Sequence, residues 1–336
     1  MMTDVLPGFD ALTDSYNRRI DYLRISITDR CNLKCIYCMP EKGLKHFAQA
    51  EILTSDEIIT IVRIACKYGV RKVRLTGGEP LLREDIIPLI EGIKRAGVQD
   101  LSITTNAQRL AGKASALKRA GLDRVNISLD TLQKERYKDI TRGGELHRVW
   151  EAIMESERVG LSPVKINMVP VRGVNDDEIL VFAALTLKKD VHVRFIEFMP
   201  IGNRETWRPD AYLGRDEIMA RVALAGKLIR LPFKGGGPSR NYRIEGAPGM
   251  IGFISAISDC FCSSCNRLRL TAIGKLRPCL FSEATVDMKT PLRNGASDEE
   301  LETLYRSAVL AKPAGHTLRD GSSDHPSLSP MSQIGG

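Results

Sequence analysis

The sequence predicts an α/β protein: an incomplete TIM-type (βα)6 barrel followed by a β-rich C-terminal extension. Two observations lead to this fold class. Short β-rich runs alternate with amphipathic helical stretches over the first two-thirds of the 336 residues, and such alternation predicts a parallel sheet. Beyond about residue 225, the pattern changes to short strand candidates after a Gly-rich loop at 235–238. We therefore expect two parts, 1–225 and 226–336.

The elements of the barrel follow from periodicity and from the residues at their boundaries. Thr54 precedes a helical stretch as an N-cap residue. Gly69 and Gly97 each follow a helical stretch, where left-handed caps are common. The predicted strands are Tyr22–Thr28, Lys72–Thr76, Leu101–Thr105, Arg124–Leu129, Val164–Pro170 and Val191–Phe198, and the predicted helices are Ser55–Lys67, Glu84–Ala96, Gln108–Ala120, Leu146–Val159 and Asp176–Leu187.

The extension has a different pattern. Strands are predicted at Asn241–Glu245, Met250–Ser255 and Leu268–Thr271, and one helix at Asp298–Leu310. Residues 312–336 are rich in Pro, Ser and Gly and have no apolar period. A segment of that composition cannot bury much apolar surface, so we expect it to be flexible.

Polar motifs come at the carboxyl ends of the predicted strands. They are Gly-Gly-Glu-Pro at 77–80, Thr-Thr-Asn at 104–106, Ser-Leu-Asp at 128–130 and Met-Pro at 199–200. Barrel enzymes build their active sites on this face. A simple turn is the alternative explanation of Gly-Gly-Glu-Pro, but it does not explain why all of these motifs share one rim.

Charge and cysteine content narrow the classes of function. The chain has 49 Lys and Arg against 41 Asp and Glu, a net charge of +8 that favours an anionic partner. It has no run of five like charges, which argues against nucleic acid, and no apolar run near the ~20 residues of a membrane helix. Six of its eight cysteines form two tight groups, unlike a secreted disulfide scaffold. We expect a cytoplasmic protein that binds neither nucleic acid nor membranes.

The first cysteine group comprises Cys31, Cys35 and Cys38. Three thiolates can hold three corners of an iron–sulfur cluster and leave the fourth iron open. They could equally be part of a zinc site that a distant ligand completes, because thiolates suit both metals. The spacing leaves both options open, whereas Tyr37 and the preceding run at 24–30 favour the cluster.

The second group comprises Cys262, Cys265 and Cys279. In isolation it could be half of a zinc site. Arg267 and Arg269 lie beside it, and alternate residues of an extended strand point to one face, so these two side chains can project together. Two guanidinium groups on one face can clamp an anion such as phosphate; the alternative is a solvated basic strand.

Together these residues resemble the GTP 3′,8-cyclase family of the radical S-adenosylmethionine (SAM) superfamily. The Cys-x3-Cys-x2-Cys run alone is typical of the superfamily. The second cysteine group with its arginines, and the terminal Gly335-Gly336, are more selective. The matching stretches span nearly the whole chain in order: 28–40, 76–80, 104–106, 128–130, 194–199, 262–279 and 335–336.

The resemblance implies two 4Fe–4S clusters and SAM as cofactors. One cluster would sit on the first cysteine group within 1–225, and the other on the second group within 226–336. Without the resemblance, we would interpret Met199 as a methionine of the hydrophobic core. The residues implied to surround SAM are Tyr37, Gly78, Ser128 and Met199.

GTP is the substrate that the resemblance implies. Its implied contacts are Arg24, Arg74, Thr104, Lys165, Arg267 and Arg269, with Lys72 and Arg194 as weaker candidates. Each of these cations alone would more often be a surface charge, but several beside one triphosphate are physically sensible. The residues implied to be catalytic are Arg267, Gly335 and Gly336, the two glycines forming a tail that enters the active site.

The implied reaction is a radical cyclisation by a lyase in the first step of molybdenum cofactor (molybdopterin) biosynthesis. Hydrogen leaves C3′ of the ribose, and the ribose radical attacks C8 of guanine to give (8S)-3′,8-cyclo-7,8-dihydroguanosine 5′-triphosphate. The implied partners are a cyclic pyranopterin monophosphate synthase, which uses the product, and an electron donor such as flavodoxin or ferredoxin. The oligomeric state is open, with a homodimer among the options.

Two cysteines lie outside the two groups. Cys66 lies in a helical pattern and is expected in the core, while Cys260 could compete with Cys262 as a ligand, although we expect that it does not.

Two rival functions are less consistent with the sequence. A peptide-maturing radical SAM enzyme would usually carry more C-terminal cysteines. A zinc-bearing nucleic-acid-binding protein would bind zinc and show salt-sensitive DNA or RNA binding, but it leaves the rim motifs unexplained.

Overall fold

The structure is a computed structural model that describes residues 12–201, 207–232, 237–316 and 330–334. No helix in these ranges has the length and apolar character needed to cross a membrane. The helices are α1 Ser55–Lys67, α2 Ile86–Arg95, α3 Ala114–Arg119, α4 Lys134–Thr141, α5 Leu146–Arg158, α6 Ile179–Lys188, α7 Arg215–Ala223, α8 Lys289–Arg293, α9 Asp298–Leu310 and α10 Met331–Ile334. The strands are β1 Tyr22–Ser26, β2 Lys72–Thr76, β3 Asp100–Thr105, β4 Arg124–Ser128, β5 Lys165–Met168, β6 His192–Ile196, β7 Leu228–Arg230, β8 Arg240–Ile244, β9 Met250–Ile254, β10 Arg267–Leu270, β11 Lys275–Arg277 and β12 Val286–Asp287.

All of these strands belong to one sheet, in the order β12-β11-β10-β1-β2-β3-β4-β5-β6-β9-β8-β7. Strands β10 and β9 run parallel to β1 and β6, so the C-terminal strands extend the parallel sheet at both edges. The outermost strands pair antiparallel. The predicted partial barrel with a β-rich extension is confirmed, while the division at 225 and 226 stays a prediction.

Each parallel strand presents one apolar and one polar face. On β1, Leu23 and Ile25 are buried in the apolar cluster that contains Ile58 and Ile61 of α1, whereas Arg24 between them faces an interior cavity. Successive side chains of a strand point to opposite faces. The sheet therefore gives its apolar residues to the packing against helices and its polar residues to the interior.

Capping interactions explain why α1 and α9 have the predicted bounds. The hydroxyl of Thr54 accepts a hydrogen bond from the Glu57 N–H (3.2 Å), and the Glu57 carboxylate accepts one from the Thr54 N–H (2.8 Å). Ser297 and Glu300 form the same capping box at α9. Such boxes satisfy two N–H groups that the first turn leaves unpaired.

Other predicted elements are too long, because tertiary contacts end them early. The strand predicted at Val164–Pro170 spans only β5, and the helix predicted at Gln108–Ala120 is a short 3-10 turn followed by α3. The side-chain amide of Gln108 is held by the backbone of Glu145, to which it donates (3.1 Å) and from which it accepts (3.0 Å). Elements that the sequence did not predict are α4, α7, α8, α10, β7, β11 and β12.

The flexible tail predicted at 312–336 is wrong for the parts that the structure describes. Lys312 is buried, and its ammonium group donates to the carbonyl oxygens of Arg267 (2.9 Å) and Pro278 (2.8 Å). In α10, Ile334 is buried. The Ser26 hydroxyl of β1 donates to the Ser332 carbonyl (3.1 Å). Contacts with residues far away in sequence therefore order both segments.

Candidate functional site

A cavity of about 570 Å³ occupies the interior of the curved sheet. Inward-facing residues of β1 to β6, β9 and β10 line it, together with loops at both ends of the strands. It brings together every site residue predicted from the sequence except Gly335 and Gly336, which lie outside the described residues.

The first cysteine group lies on the loop after β1, at the carboxyl end of the parallel strands. The N–H groups of Lys34 and Ile36 donate to the carbonyls of Thr141 (3.1 Å) and Ile140 (2.9 Å) in α4. The Asn106 amide lies 3.8 Å from the sulfur of Cys31. Helix α4 therefore supports the loop, although the sequence patterns did not reveal this helix.

The donor set fits a cluster that leaves one iron open. All three sulfur ligands come from one loop and face one cavity. Burial raises the pKa of Cys31 to about 11 and that of Cys38 to about 12. Such thiols hold their protons until a metal replaces them, as thiolate ligation requires.

The Gly-Gly-Glu-Pro motif packs directly on this loop. The Gly78 N–H donates to the Thr28 carbonyl (2.8 Å), and the Glu79 N–H donates to the Arg30 carbonyl (2.7 Å). A Cβ atom on Gly78 would lie 2.5 Å from the carbonyl carbon of Arg30. Glycine is thus required here for close backbone approach, in addition to any contact with a cofactor.

Two buried carboxylates at this end were not singled out from the sequence. The Glu79 carboxylate accepts hydrogen bonds from the Thr105 hydroxyl (2.7 Å) and the Asn106 N–H (2.8 Å), and burial raises its pKa to about 7. Asp130 accepts from the Tyr37 hydroxyl (2.7 Å), and burial raises the pKa of Asp130 to about 6. Both lie within rim motifs, but only tertiary structure shows which groups they contact.

The second cysteine group lies at the opposite end of the strands. Cys262 and Cys265 precede β10, which runs parallel to β1, and Cys279 follows β11, which runs antiparallel and returns to the same end. Five residues of parallel strand rise roughly 16 Å. The two cysteine groups are therefore separated by about the length of the strands, and the cavity connects them.

The positive charges around the second cysteine group favour the thiolate form of Cys265 and the binding of an anion. Burial raises the pKa of Cys265, but the charges of Arg267 and Lys312 outweigh it, and the pKa falls to about 6. The guanidinium group of Arg267 lies 3.7 Å from the Cys265 sulfur and stacks over Phe261 at 4.8 Å. This set of three sulfurs, one of them ionised at neutral pH, also fits an iron–sulfur cluster.

Positively charged side chains line the cavity between the two cysteine groups. Among the described residues, nine Lys or Arg and four Asp or Glu side chains line the cavity. Burial and the neighbouring Arg269 lower the pKa of Arg24, and burial with Arg194 lowers the pKa of Lys165 to about 6. These shifts mark a surplus of buried positive charge that an anionic ligand would relieve.

Several buried polar atoms that line the cavity have no hydrogen-bond partner within the described ranges. Two of them are the Thr104 hydroxyl and Nε of Arg267. Leaving such groups unsatisfied costs about 1–3 kcal/mol each. By contrast, Arg194 donates to the side-chain oxygens of Asn167 (2.9 Å) and Asn126 (2.6 Å). Thr104 and Arg267 are thus suited to contact a bound ligand.

Comparison with known proteins identifies the family. The Radical SAM superfamily matches residues 25–186, and Molybdenum Cofactor Synthesis C matches residues 191–318. A GTP 3′,8-cyclase of Pelotomaculum thermopropionicum is 48% identical over 331 residues, covering 97% of this chain and 100% of that protein. The chain belongs to the GTP 3′,8-cyclase family. The resemblance predicted from the motifs is confirmed.

Further relatives agree with this membership. A GTP 3′,8-cyclase of Heliobacterium modesticaldum is 50% identical over 331 residues, with 97% of this chain and all of that protein covered. Among solved structures, Streptococcus suis SuiB matches with a TM-score of 0.61 at 15% identity, over 89% of this chain and 68% of SuiB. That distant likeness supports the fold of a radical SAM enzyme alone.

Replacing Gly78 by alanine should displace the first cysteine loop. The added methyl group would overlap the backbone of Arg30 and lie 3.0 Å from the Asp29 carbonyl oxygen, and overpacking of this kind costs about 1–3 kcal/mol. We expect Gly78→Ala to lose about half of its iron after anaerobic reconstitution, because cluster loading depends on the ligand loop. Iron and sulfide analysis measures this loss.

Gly112→Ala is the matched control for Gly78→Ala. No atom lies within 4 Å of a Cβ placed on Gly112, so this variant should retain all of its iron. Full iron loading in Gly78→Ala would contradict the role assigned to the close approach.

Proposed function

We propose that this protein is a GTP 3′,8-cyclase that uses two 4Fe–4S clusters and SAM to convert GTP into 3′,8-cyclo-7,8-dihydro-GTP. The observation that carries the proposal is the cavity with a three-cysteine group at each end and buried cations between them. A substrate with a polyanionic part and a reacting ribose suits such a space. The family relationship supplies the identity of the nucleotide.

The carboxyl end of the strands is the proposed SAM site. The first cysteine group would hold a 4Fe–4S cluster, which when bound and reduced would supply the electron for the cleavage of SAM. Tyr37, Ser128 and Met199 line the cavity beside this group and are proposed to hold SAM. The hydrogen bond from Tyr37 to Asp130 fixes the phenol ring in place, so that its apolar face can exclude water from the reacting atoms.

The middle of the cavity is the proposed triphosphate site. Arg24, Arg74 and Lys165 point into it from three strands, and Thr104 adds a hydroxyl group. Arg74 is itself positioned by its hydrogen bond to the Ser102 hydroxyl (3.2 Å). Charged phosphate oxygens would form charge-assisted hydrogen bonds with these groups, which are shorter and stronger than neutral ones.

The amino end of the strands is the proposed site for the guanine base. Arg267 and Arg269 project from β10 into the cavity on one face, while Leu268 between them is buried in the core. Each arginine is thereby directed at the space next to the second cysteine group. We assign Arg267 a catalytic role, because it reaches both this group and the substrate space.

The terminal glycines are proposed to complete the catalytic site. Met331 and Ser332 of α10 line the cavity, and the bond from Ser26 holds α10 beside β1. Two residues without side chains, Gly335 and Gly336, follow immediately. A chain of that kind can enter a narrow space without displacing the substrate.

We also propose two protein partners for this enzyme. A cyclic pyranopterin monophosphate synthase would use the product, and flavodoxin or ferredoxin would supply electrons. We propose a cytoplasmic location, where cysteines stay reduced.

GTP labelled with deuterium at C3′ tests the proposed activity. The reconstituted protein, dithionite and SAM should give 5′-deoxyadenosine only slowly without GTP and rapidly with it. The deuterium should appear in 5′-deoxyadenosine, because the proposed reaction removes hydrogen from C3′. Mass spectrometry of the nucleoside detects it. Production of unlabelled 5′-deoxyadenosine that GTP does not affect would exclude GTP as the substrate.

Deleting Gly335 and Gly336 should abolish cyclisation and leave both clusters bound, because the cysteine ligands lie elsewhere in the chain. Chromatography of the cyclised product and iron analysis measure the two effects. Deletion of Met2 and Thr3 serves as a control of equal size and should retain activity. Full cyclisation by the Gly-Gly deletion would disprove a catalytic tail.

A further inference from the structure

A second group of metal-ligating atoms lies beside the three-cysteine group at the amino end of the strands. Cys260, Cys262 and His316 each offer one ligand atom, and these atoms all lie within 4.8 Å of one another. We propose that these three residues form a binding site for a single borderline-soft divalent cation such as Zn²⁺. The site shares Cys262 with the second cysteine group but uses neither Cys265 nor Cys279.

The ligand set matches the chemistry of zinc. Zinc binds Cys and His in tetrahedral geometry with Zn–S bonds near 2.3 Å, which places two sulfur ligands roughly 3.8 Å apart. Closing the observed separations to that value requires a movement of about 1 Å at most. Cys260 is exposed, so the cation can enter from solvent, and water would supply the fourth ligand of a tetrahedral ion.

The chain that carries His316 is held over Cys262. The guanidinium group of Arg18 donates to the carbonyl oxygens of Cys262 (2.8 Å), Ala314 (3.0 Å) and Pro313 (2.6 Å). A Cβ on Gly315 would lie 3.8 Å from the sulfur of Cys262. One buried side chain thus ties the cysteine loop to the segment that precedes His316.

The remaining ligands are also positioned before any metal binds. The imidazole of His316 packs against the ring of Phe281 with centroids 4.4 Å apart. The backbone N–H of Cys262 donates to the sulfur of Cys260 at 3.4 Å, which holds that sulfur against the loop that carries Cys262. Because the three ligands are held in place, binding a cation orders little additional chain.

The shared ligand has a consequence for cluster assembly. Both sites need the single sulfur of Cys262, so we expect a cation held by Cys260 and His316 to compete with the second cluster. This competition depends on the proposed function, which assigns Cys262 to that cluster. The cation site itself does not, since it needs only the three residues. Cys260 would then be a metal ligand, but for a different metal than the cluster iron.

Zinc binding to the full-length chain tests the proposal. Cys31, Cys35 and Cys38 are replaced by serine so that the first cysteine group cannot bind zinc, and the iron-free protein is titrated anaerobically against a chromogenic chelator. We expect one Zn²⁺ per chain. Loss of a ligand should cost at least the ~100-fold in affinity at the upper end of losses from outer-shell changes, so Cys260→Ala and His316→Ala should weaken binding at least that much.

Three further variants serve as controls in this background. Cys265→Ala, Cys279→Ala and Cys66→Ala should bind zinc as tightly as the parent chain. X-ray absorption at the zinc edge gives an independent result without any further substitution, because the proposed site has two sulfurs and one imidazole nitrogen. That measurement still decides the question if a variant fails to fold.

Several results would overturn the proposal. One is a zinc shell of three sulfurs, or zinc that is lost in Cys265→Ala but retained in His316→Ala, since the metal would then occupy the three-cysteine group. Absence of stoichiometric zinc would also overturn it. These experiments use neither SAM nor GTP, so their failure is distinguishable from failure of the proposed cyclase activity. In the reconstituted protein, one bound zinc with no release of iron would disprove the competition.

Discussion

Buried positive charge is the constraint on which the rest of this structure depends. Burial lowers the pKa of Arg24, Arg74, Arg194 and Arg269, and of Lys165 to about 6. Burying charge without a counter-charge is costly. A polyanionic nucleotide would offset this cost, so the charge of the cavity favours binding one. The uncompensated positive charge in the barrel interior destabilises the folded protein but increases its affinity for an anion.

The sheet keeps the two reactive ends apart and connects them through this charged interior. Strand β10 pairs with β1 although they are far apart in sequence, and this pairing brings the second cysteine group to the amino end of the strands. The first group lies at the carboxyl end. A ligand that spans this interior would be held in a fixed orientation relative to both cysteine groups, and such positioning of reacting groups lowers the entropic cost of a reaction.

The sequence was sufficient where local chemistry decides the structure. Capping boxes set α1 and α9, and the alternation on β10 predicted that Arg267 and Arg269 share a face. The sequence was insufficient where contacts between residues far apart in the chain determine the structure. The helix α4 that supports the first cysteine loop, the burial of Lys312, and the convergence of Cys260 with His316 all depend on residues far apart in the chain. No local pattern encodes such pairings.

Proton uptake on binding GTP tests the central claim most directly. At pH 8 Lys165, with a pKa of about 6, is mostly neutral. Arg194, Arg124, Arg74, Asp100 and His192 surround it, and a triphosphate should raise its pKa. Calorimetry in two buffers of different ionisation enthalpy should show uptake of up to about one proton per GTP. Binding of guanosine to the parent protein should take up no proton, and neither should binding of GTP to the Lys165→Met variant. The Lys188→Met variant, which alters an exposed lysine, should take up protons as the parent does. Equal binding of GTP without proton uptake would contradict the account.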